Sequence, residues 1–123
     1  MDTKIIYIIP ALIILIGCAS VQKSAKQYSS IQYLKNYALC TCIADGFESK
    51  EVIKDAAAGA RGYLEFGDLP LDAYTQATLL GRDFLKREYK SMTGQKLILM
   101  KCIDFYNSKE LNELAKRFKN KKE

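Results

Sequence analysis

Apolar residues fall into two regimes along this chain. From Ile5 to Gly17 they form a run broken only by Tyr7 and Pro10, whereas from Ser29 onward they recur at the three- and four-residue spacings that align side chains on a helix. The second regime predicts an all-α fold, a single compact bundle of about five helices, with no alternation long enough for a strand. The first helix, about Ile31 to Asp45 and ended by Gly46, carries Ile31, Leu34, Ala38 and Cys42 on one side and Tyr33, Tyr37, Cys40 and Ala44 on another. A helix apolar nearly all round belongs at the buried centre of a bundle. The second, about Lys50 to Phe66 with Ser49 as N-cap, puts Val52, Ile53, Ala56, Ala57, Ala60, Tyr63 and Leu64 on one arc. Gly59 and Gly62 weaken that helix and predict a closely approaching neighbour.

Gly67-Asp68-Leu69-Pro70 breaks the chain, and the third helix runs from about Leu71 to Tyr89. Ala73, Tyr74, Ala77, Leu80, Phe84 and Leu85 form its buried arc, while Leu79 falls among polar residues. One exposed leucine is ordinary, so Leu79 is only a candidate partner contact. A polar loop, Lys90 to Gln95, leads to a fourth helix, about Lys96 to Tyr106, expected to turn Ile98, Leu99, Cys102, Ile103, Phe105 and Tyr106 inward. Either Asn107 with Glu110 as a capping box or Ser108 as N-cap then starts a fifth, whose stripe is Leu111, Leu114, Ala115 and Phe118.

The N-terminal run is shorter than the roughly 20 residues that span a bilayer, and it contains a proline. It ends in Leu15-Ile16-Gly17-Cys18, which resembles the cleavage site of bacterial lipoproteins. That resemblance implies a signal peptide over residues 1–17 and Cys18 as an acylated mature N-terminus. Residues 18–30 then form a lipidated tether rich in Ser, Gln and Lys, residues 31–118 one domain, and residues 119–123 a basic tail. Ala19, where an aspartate would favour inner-membrane retention, leans the expected location towards the periplasmic face of the outer membrane. An ordinary soluble periplasmic protein, or an uncleaved anchor, is the plainer alternative.

Of 123 residues, 19 are Lys or Arg and 14 Asp or Glu, a net charge of +5. Export, not charge, argues against nucleic acid, so the charge suits anionic lipid, cell-wall polymer or an acidic protein. The cluster from Lys116 to Lys122 reads by default as a solvated, frayed tail. With Cys18 acylated, Cys40, Cys42 and Cys102 remain for an oxidising compartment. Cys40 and Cys42 point about 200° apart on a helix and cannot readily bond together. Cys42 shares its face with Leu34 and Ala38, so Cys42–Cys102 is the preferred bridge; pairing through Cys40, or three buried thiols, stays open.

The chain contains no histidine. The usual general base at neutral pH is therefore missing, and no Ser-His or Cys-His nucleophile can be assembled. Paired carboxylates such as Glu51 with Asp55 sit where solvated charges are expected, and no phosphate loop, metal motif or calcium loop is present, so no cofactor is expected. A binding protein is the reading that remains.

Four segments carry a further resemblance: Leu39 to Ala44, Phe84 to Tyr89, Leu99 to Tyr106, and Ser108 to Leu111. They resemble the immunity proteins that neutralise the fourth family of type VI secretion cell-wall amidase effectors, over about Gln32 to Phe118. That resemblance implies a periplasmic helical bundle, often a homodimer, whose protruding loop obstructs the catalytic cleft of a secreted peptidoglycan amidase. It places the loop on Tyr89, Lys90, Ser91, Met92, Thr93, Gly94 and Gln95, and the cysteine pair on Cys42 and Cys102. Met92 would be an adaptable apolar contact, Tyr89 an aromatic anchor, and Lys86, Arg87 and Lys90 steering charges. The loop is shorter than the family's, and Cys40 and the lipoprotein site are additions to it. The competing expectation is an envelope lipoprotein with a scaffolding role, in which Tyr89 merely closes the core.

Overall fold

Five helices build a computed structural model that describes residues 28–122: α1 (Ser30–Gly46), α2 (Lys50–Phe66), α3 (Leu71–Leu85), α4 (Ile98–Tyr106) and α5 (Lys109–Lys122). No strand occurs among the described residues. The expected signal peptide, Cys18 and most of the expected tether lie outside them. Among the described residues no helix is long and apolar enough to cross a membrane.

Local chemistry starts three of the helices. Ser29 accepts the amide of Gln32 at 3.2 Å, and Ser49 that of Val52 at 3.5 Å. Ser108, of the two alternatives, caps α5 by accepting the Leu111 amide at 3.2 Å, while its hydroxyl donates to the Phe105 carbonyl at 2.6 Å. Each such cap satisfies a donor that the helix itself leaves unpaired.

The helix directions follow from pairs across the core. Taking the end where α1 begins as the upper one, Tyr37 of α1 meets Tyr74 of α3 with ring centroids 4.9 Å apart, and nearer the lower end Asp45 pairs with Arg82 at 2.9 Å. α3 therefore descends alongside α1. α4 climbs against α1, from Ile98 beside Gly46 through Cys102 bonded to Cys42 to Tyr106, whose hydroxyl accepts from Gln32 at 2.6 Å. α5 also climbs: Glu110 in its first turn reaches Arg87, just past the lower end of α3, at 3.5 Å, and the helix then shares a groove with Gln76, Leu79 and Asp83 of α3.

α1 packs against every other helix, as its all-round apolar surface requires. Leu34, Ala38 and Cys42 join Tyr74, Phe84, Phe105, Leu111 and Phe118 in one continuous core. The Cys42–Cys102 disulfide ties α1 to α4 with Cα atoms 5.7 Å apart, and Cys40 is free. Gly67 closes α2 where the Tyr74 hydroxyl occupies the space that a side chain would need. The two helical glycines of α2 are explained only in part, because Gly59 faces the Cys40 sulfur whereas a Cβ at Gly62 would meet nothing within 4 Å.

Two expectations are corrected. α3 ends at Leu85 and not at Tyr89, because the Lys101 ammonium takes the Leu85 carbonyl at 3.1 Å and Arg87 folds its guanidinium back over the Phe84 ring at 3.5 Å. Leu99 and Ile103 point outward, since the disulfide turns the opposite arc of α4, Ile98, Cys102 and Phe105, to the core. α5 continues through residues 119–122, beyond the Phe118 boundary expected for the domain.

Candidate partner-binding surface

The connection between α3 and α4 is braced at both shoulders and open at its tip. On the first shoulder Arg87 lies on Phe84 and reaches Glu110 at 3.5 Å, and the Tyr89 hydroxyl donates to Asp104 Oδ2 at 2.6 Å. That hydrogen bond to a carboxylate holds the Tyr89 hydroxyl above its usual pKa. Lys101 adds its charge 5.6 Å from the Tyr89 ring centre. On the second shoulder Lys96 pairs with Glu48 in the α1–α2 turn, which pulls the Glu48 carboxyl below its ordinary pKa.

Between the shoulders, Ser91 Oγ accepts the amides of Thr93 and Gln95, both at 3.2 Å. Gly94 turns the chain at φ 74°, a conformation that glycine adopts without steric cost. Leu97, the residue before α4, also sits in the left-handed region at φ 54°, where a branched side chain costs about 1–2 kcal/mol. These local bonds fix a compact loop whose outermost residue, Met92, is fully exposed, with Lys90, Thr93 and Gln95 exposed beside it.

Beside the loop lies a surface that includes Leu99 and Ile103, which the periodicity assigned to the core. Leu99, Met100 and Ile103 are 51%, 53% and 46% exposed, and they share the outer arc of α4 with Asp104, the residue that holds Tyr89. Three large apolar side chains on one exposed arc mark a contact surface more than an isolated leucine does. The signal was present in the sequence: a nine-residue helix with seven apolar positions cannot turn all of them to one neighbour.

The sequence-proposed residues divide accordingly. Tyr89, Lys90, Ser91, Met92, Thr93, Gly94 and Gln95 form the loop, Arg87 anchors its root, and Lys86 is exposed at the end of α3, 3.7 Å from Asp83. Leu79 is not brought to them; it is exposed higher on α3, in the groove shared with α5. Cys40 faces α2, where burial and then the nearby Asp55 raise its thiol pKa and so disfavour the reactive thiolate. Among the described residues no group of three Cys, Asp or Glu is placed to hold a metal ion.

Fold and surface together define a small helical protein built to touch another macromolecule. Residues 32–115 match the family described as Tai4, type VI secretion system (T6SS), amidase immunity protein, and the chain belongs to that family. A solved structure of the effector–immunity system Tae4/Tai4 from Salmonella typhimurium contains a chain with 36% identity and a TM-score of 0.71, over 76% of this chain and 92% of that one. The Tae4 effector of Salmonella typhimurium in complex with the immunity protein Tai4 of Enterobacter cloacae supplies a second, at 26% identity and TM-score 0.65, covering 72% and 91%. The Tae4–Tai4 complex of Enterobacter cloacae supplies a third, at 26% identity and TM-score 0.66, with the same coverage. No curated protein matches the chain.

Proposed function

We propose that this protein is an immunity protein that binds a type VI secreted peptidoglycan amidase and blocks its cleft, and does no chemistry of its own. Family membership over residues 32–115 is the observation that carries this reading. The loop supports it: an inhibitor that plugs a cleft has to hold its plug in shape before binding, because ordering a floppy segment on contact subtracts from affinity. Ser91 and Gly94 supply that shape and Met92 the apolar tip. Leu99, Met100 and Ile103 extend the contact along α4, and Lys86 and Lys90 steer an acidic partner. A chain without histidine fits a role in which the catalytic groups belong to the other protein.

The same reading includes the acyl anchor at Cys18, a position on the periplasmic face of the outer membrane, and self-association into a homodimer. Anchoring concentrates the inhibitor where the hydrolase acts. Sedimentation of the purified protein decides the dimer, and a monomer at micromolar concentration removes it.

The direct test is peptidoglycan hydrolysis. Added in equal amount to its amidase, the protein is expected to suppress release of peptide fragments, and Met92→Asp to restore it without lowering the melting temperature. Hydrolysis that continues undiminished with every type VI amidase tried would overturn the proposal.

A further inference from the structure

We infer that Lys101 and Asp104 of α4 are positioning residues for the Tyr89–Gln95 loop: they stop α3 at Leu85, and without them α3 grows through Tyr89 and withdraws the loop from the amidase. The consequence for binding rests on the immunity reading above, whereas the consequence for the helix does not.

The residues at the end of α3 do not stop it by themselves. α1 has Gly46 as its last residue and α2 runs into Gly67, but α3 passes into Lys86-Arg87-Glu88-Tyr89 with no glycine or proline before Gly94. Lys, Arg and Glu are among the better helix formers and Tyr is only slightly poorer. Lys86 still holds right-handed helical dihedrals. The chain departs one residue later, where the Arg87 amide bonds the Phe84 carbonyl at 3.1 Å, three residues back in place of four.

What a longer α3 would need is held by α4. In a helix continued by one turn the Leu85 carbonyl accepts the Tyr89 amide. Here the Lys101 ammonium donates to that carbonyl at 3.1 Å, and Asp104, on the same face of α4, accepts the Tyr89 hydroxyl at 2.6 Å. The ammonium also lies 5.6 Å from the centre of the Tyr89 ring, and it enters no ion pair with a carboxylate among the described residues. Lys101 is tied to the other root of the loop as well, since its amide bonds the Leu97 carbonyl at 3.0 Å. One residue thus joins the last position of α3 to the position before α4.

Two arrangements of the same segment therefore compete. In the one observed, residues 86–97 bridge the two helices and Met92 stands free at the tip. In the other, four more residues join α3, which lengthens by about 6 Å, and residues 90–97 alone must make the crossing. That form gives up the Tyr89–Asp104 bond and lifts Arg87 from the Phe84 ring. A hydrogen bond from a charged donor shifts such a balance by about tenfold or more. Apparent affinity falls with the fraction of molecules in the competent form, so losing Lys101 weakens inhibition without touching the loop's own sequence.

The test compares Lys101→Met, which keeps the reach of the side chain and removes its charge, with Lys101→Arg, which keeps a donor. Carbon chemical shifts of the isotope-labelled protein should end α3 at Leu85 in the unaltered chain and in Lys101→Arg. In Lys101→Met they should extend it through Tyr89, with exchange of the Tyr89 amide slowed at least tenfold. Asp104→Ala should move the boundary the same way, and Asp104→Asn, whose amide oxygen still accepts a hydrogen bond, should leave it in place. Affinity for an amidase that the unaltered protein suppresses should drop about tenfold in Lys101→Met. Adding Glu88→Gly, which disfavours the longer helix by about fourfold, should regain about that factor. A boundary still at Leu85 in Lys101→Met and Asp104→Ala, coil in place of helix over residues 86–89, or full amidase affinity beside a lengthened α3 would overturn the inference. If the unaltered protein suppresses no amidase, the immunity reading falls and the boundary of α3 alone judges Lys101 and Asp104.

Discussion

α1 and α4 are both apolar on almost every side, yet α1 is covered by all four other helices whereas α4 meets chiefly α1 and α3 and leaves Leu99, Met100 and Ile103 in water. Length and position account for the difference. α1 has 17 residues and stands in the middle, so each of its faces finds a neighbour; α4 has nine, and the bond from Cys102 to Cys42 commits one arc inward. A helix without a polar face is stable in water only if something covers it. For α1 the rest of the chain is that cover, and for α4 we assign it to the partner.

The largest effect comes from cutting the link between the two helices. Replacing Cys42 and Cys102 by alanine opens a loop spanning 60 positions, and the chain-entropy account puts the loss near 4 kcal/mol, measured as a lower urea midpoint. Unchanged stability would mean that α4 is held by packing alone. Next in size, Leu34→Ala on α1 removes a fully buried side chain and should cost about 3 kcal/mol, whereas Ile103→Ala on α4 should change stability by less than about 0.5 kcal/mol. Amidase affinity should reverse the order, with Ile103→Ala losing tenfold or more in titration calorimetry and Leu34→Ala, while folded, losing little. Equal destabilisation by both would erase the distinction.

A smaller effect tests how strictly the interior beside α1 excludes charge. The Tyr74 hydroxyl, on a ring packed against Tyr37 of α1, is buried without a hydrogen-bond partner among the described residues, and its pKa is pushed up to about 12, by burial first and then by Asp68 and Tyr37. In the unfolded chain tyrosine ionises near 10. Between those values the folded state keeps its proton while the unfolded state releases it, so stability is intact below about pH 10 and falls by about 2 kcal/mol as pH climbs towards 12. Tyr74→Phe should flatten that alkaline limb and, by deleting an unpaired buried hydroxyl, raise stability at neutral pH by about 1 kcal/mol. An alkaline melting curve that keeps its slope in Tyr74→Phe would place the sensitive group elsewhere.

The contrast also explains what could be read from the chain. The helices were legible because core contacts recur every three or four residues and because Ser49, and Ser108 as one of two alternatives, sit where caps are needed. Of the cysteine pairing, helix geometry excluded only a Cys40–Cys42 bond; Cys42 was preferred for the face it shares with Leu34 and Ala38, and the choice between it and Cys40 needed the structure. The end of α3 was not legible, because Lys86 to Tyr89 are acceptable helix residues stopped only by distant partners, Lys101 and Asp104. Nor was the outer arc of α4, whose identity depends on which arc the disulfide captures. The strained Leu97 carries no local signal at all, being an ordinary leucine in a conformation that its neighbours impose.

The smallest expected effect concerns the shoulder where the α1–α2 turn meets the chain leading into α4. Lys96 hydrogen-bonds Glu48 and lowers its pKa, yet both side chains stand in solvent, so Glu48→Gln should leave the melting temperature within error. Its influence is local. Because the folded pKa lies below the ordinary value, the tie is complete above about pH 4.5 and is lost as pH falls through the depressed one. Backbone hydrogen exchange, followed by mass spectrometry after correction for the intrinsic pH dependence, should therefore speed up over Gly94 to Leu97 in acid. Glu48→Gln or high salt should produce the same acceleration at neutral pH. Over Leu34 to Cys42, where Leu34, Ala38 and Cys42 are buried in the core, none of these changes should alter exchange. Acceleration in α1 together with the loop would mean that the two helices open as one unit, and the division between a self-sufficient core helix and one that depends on surface ties and a partner would fail.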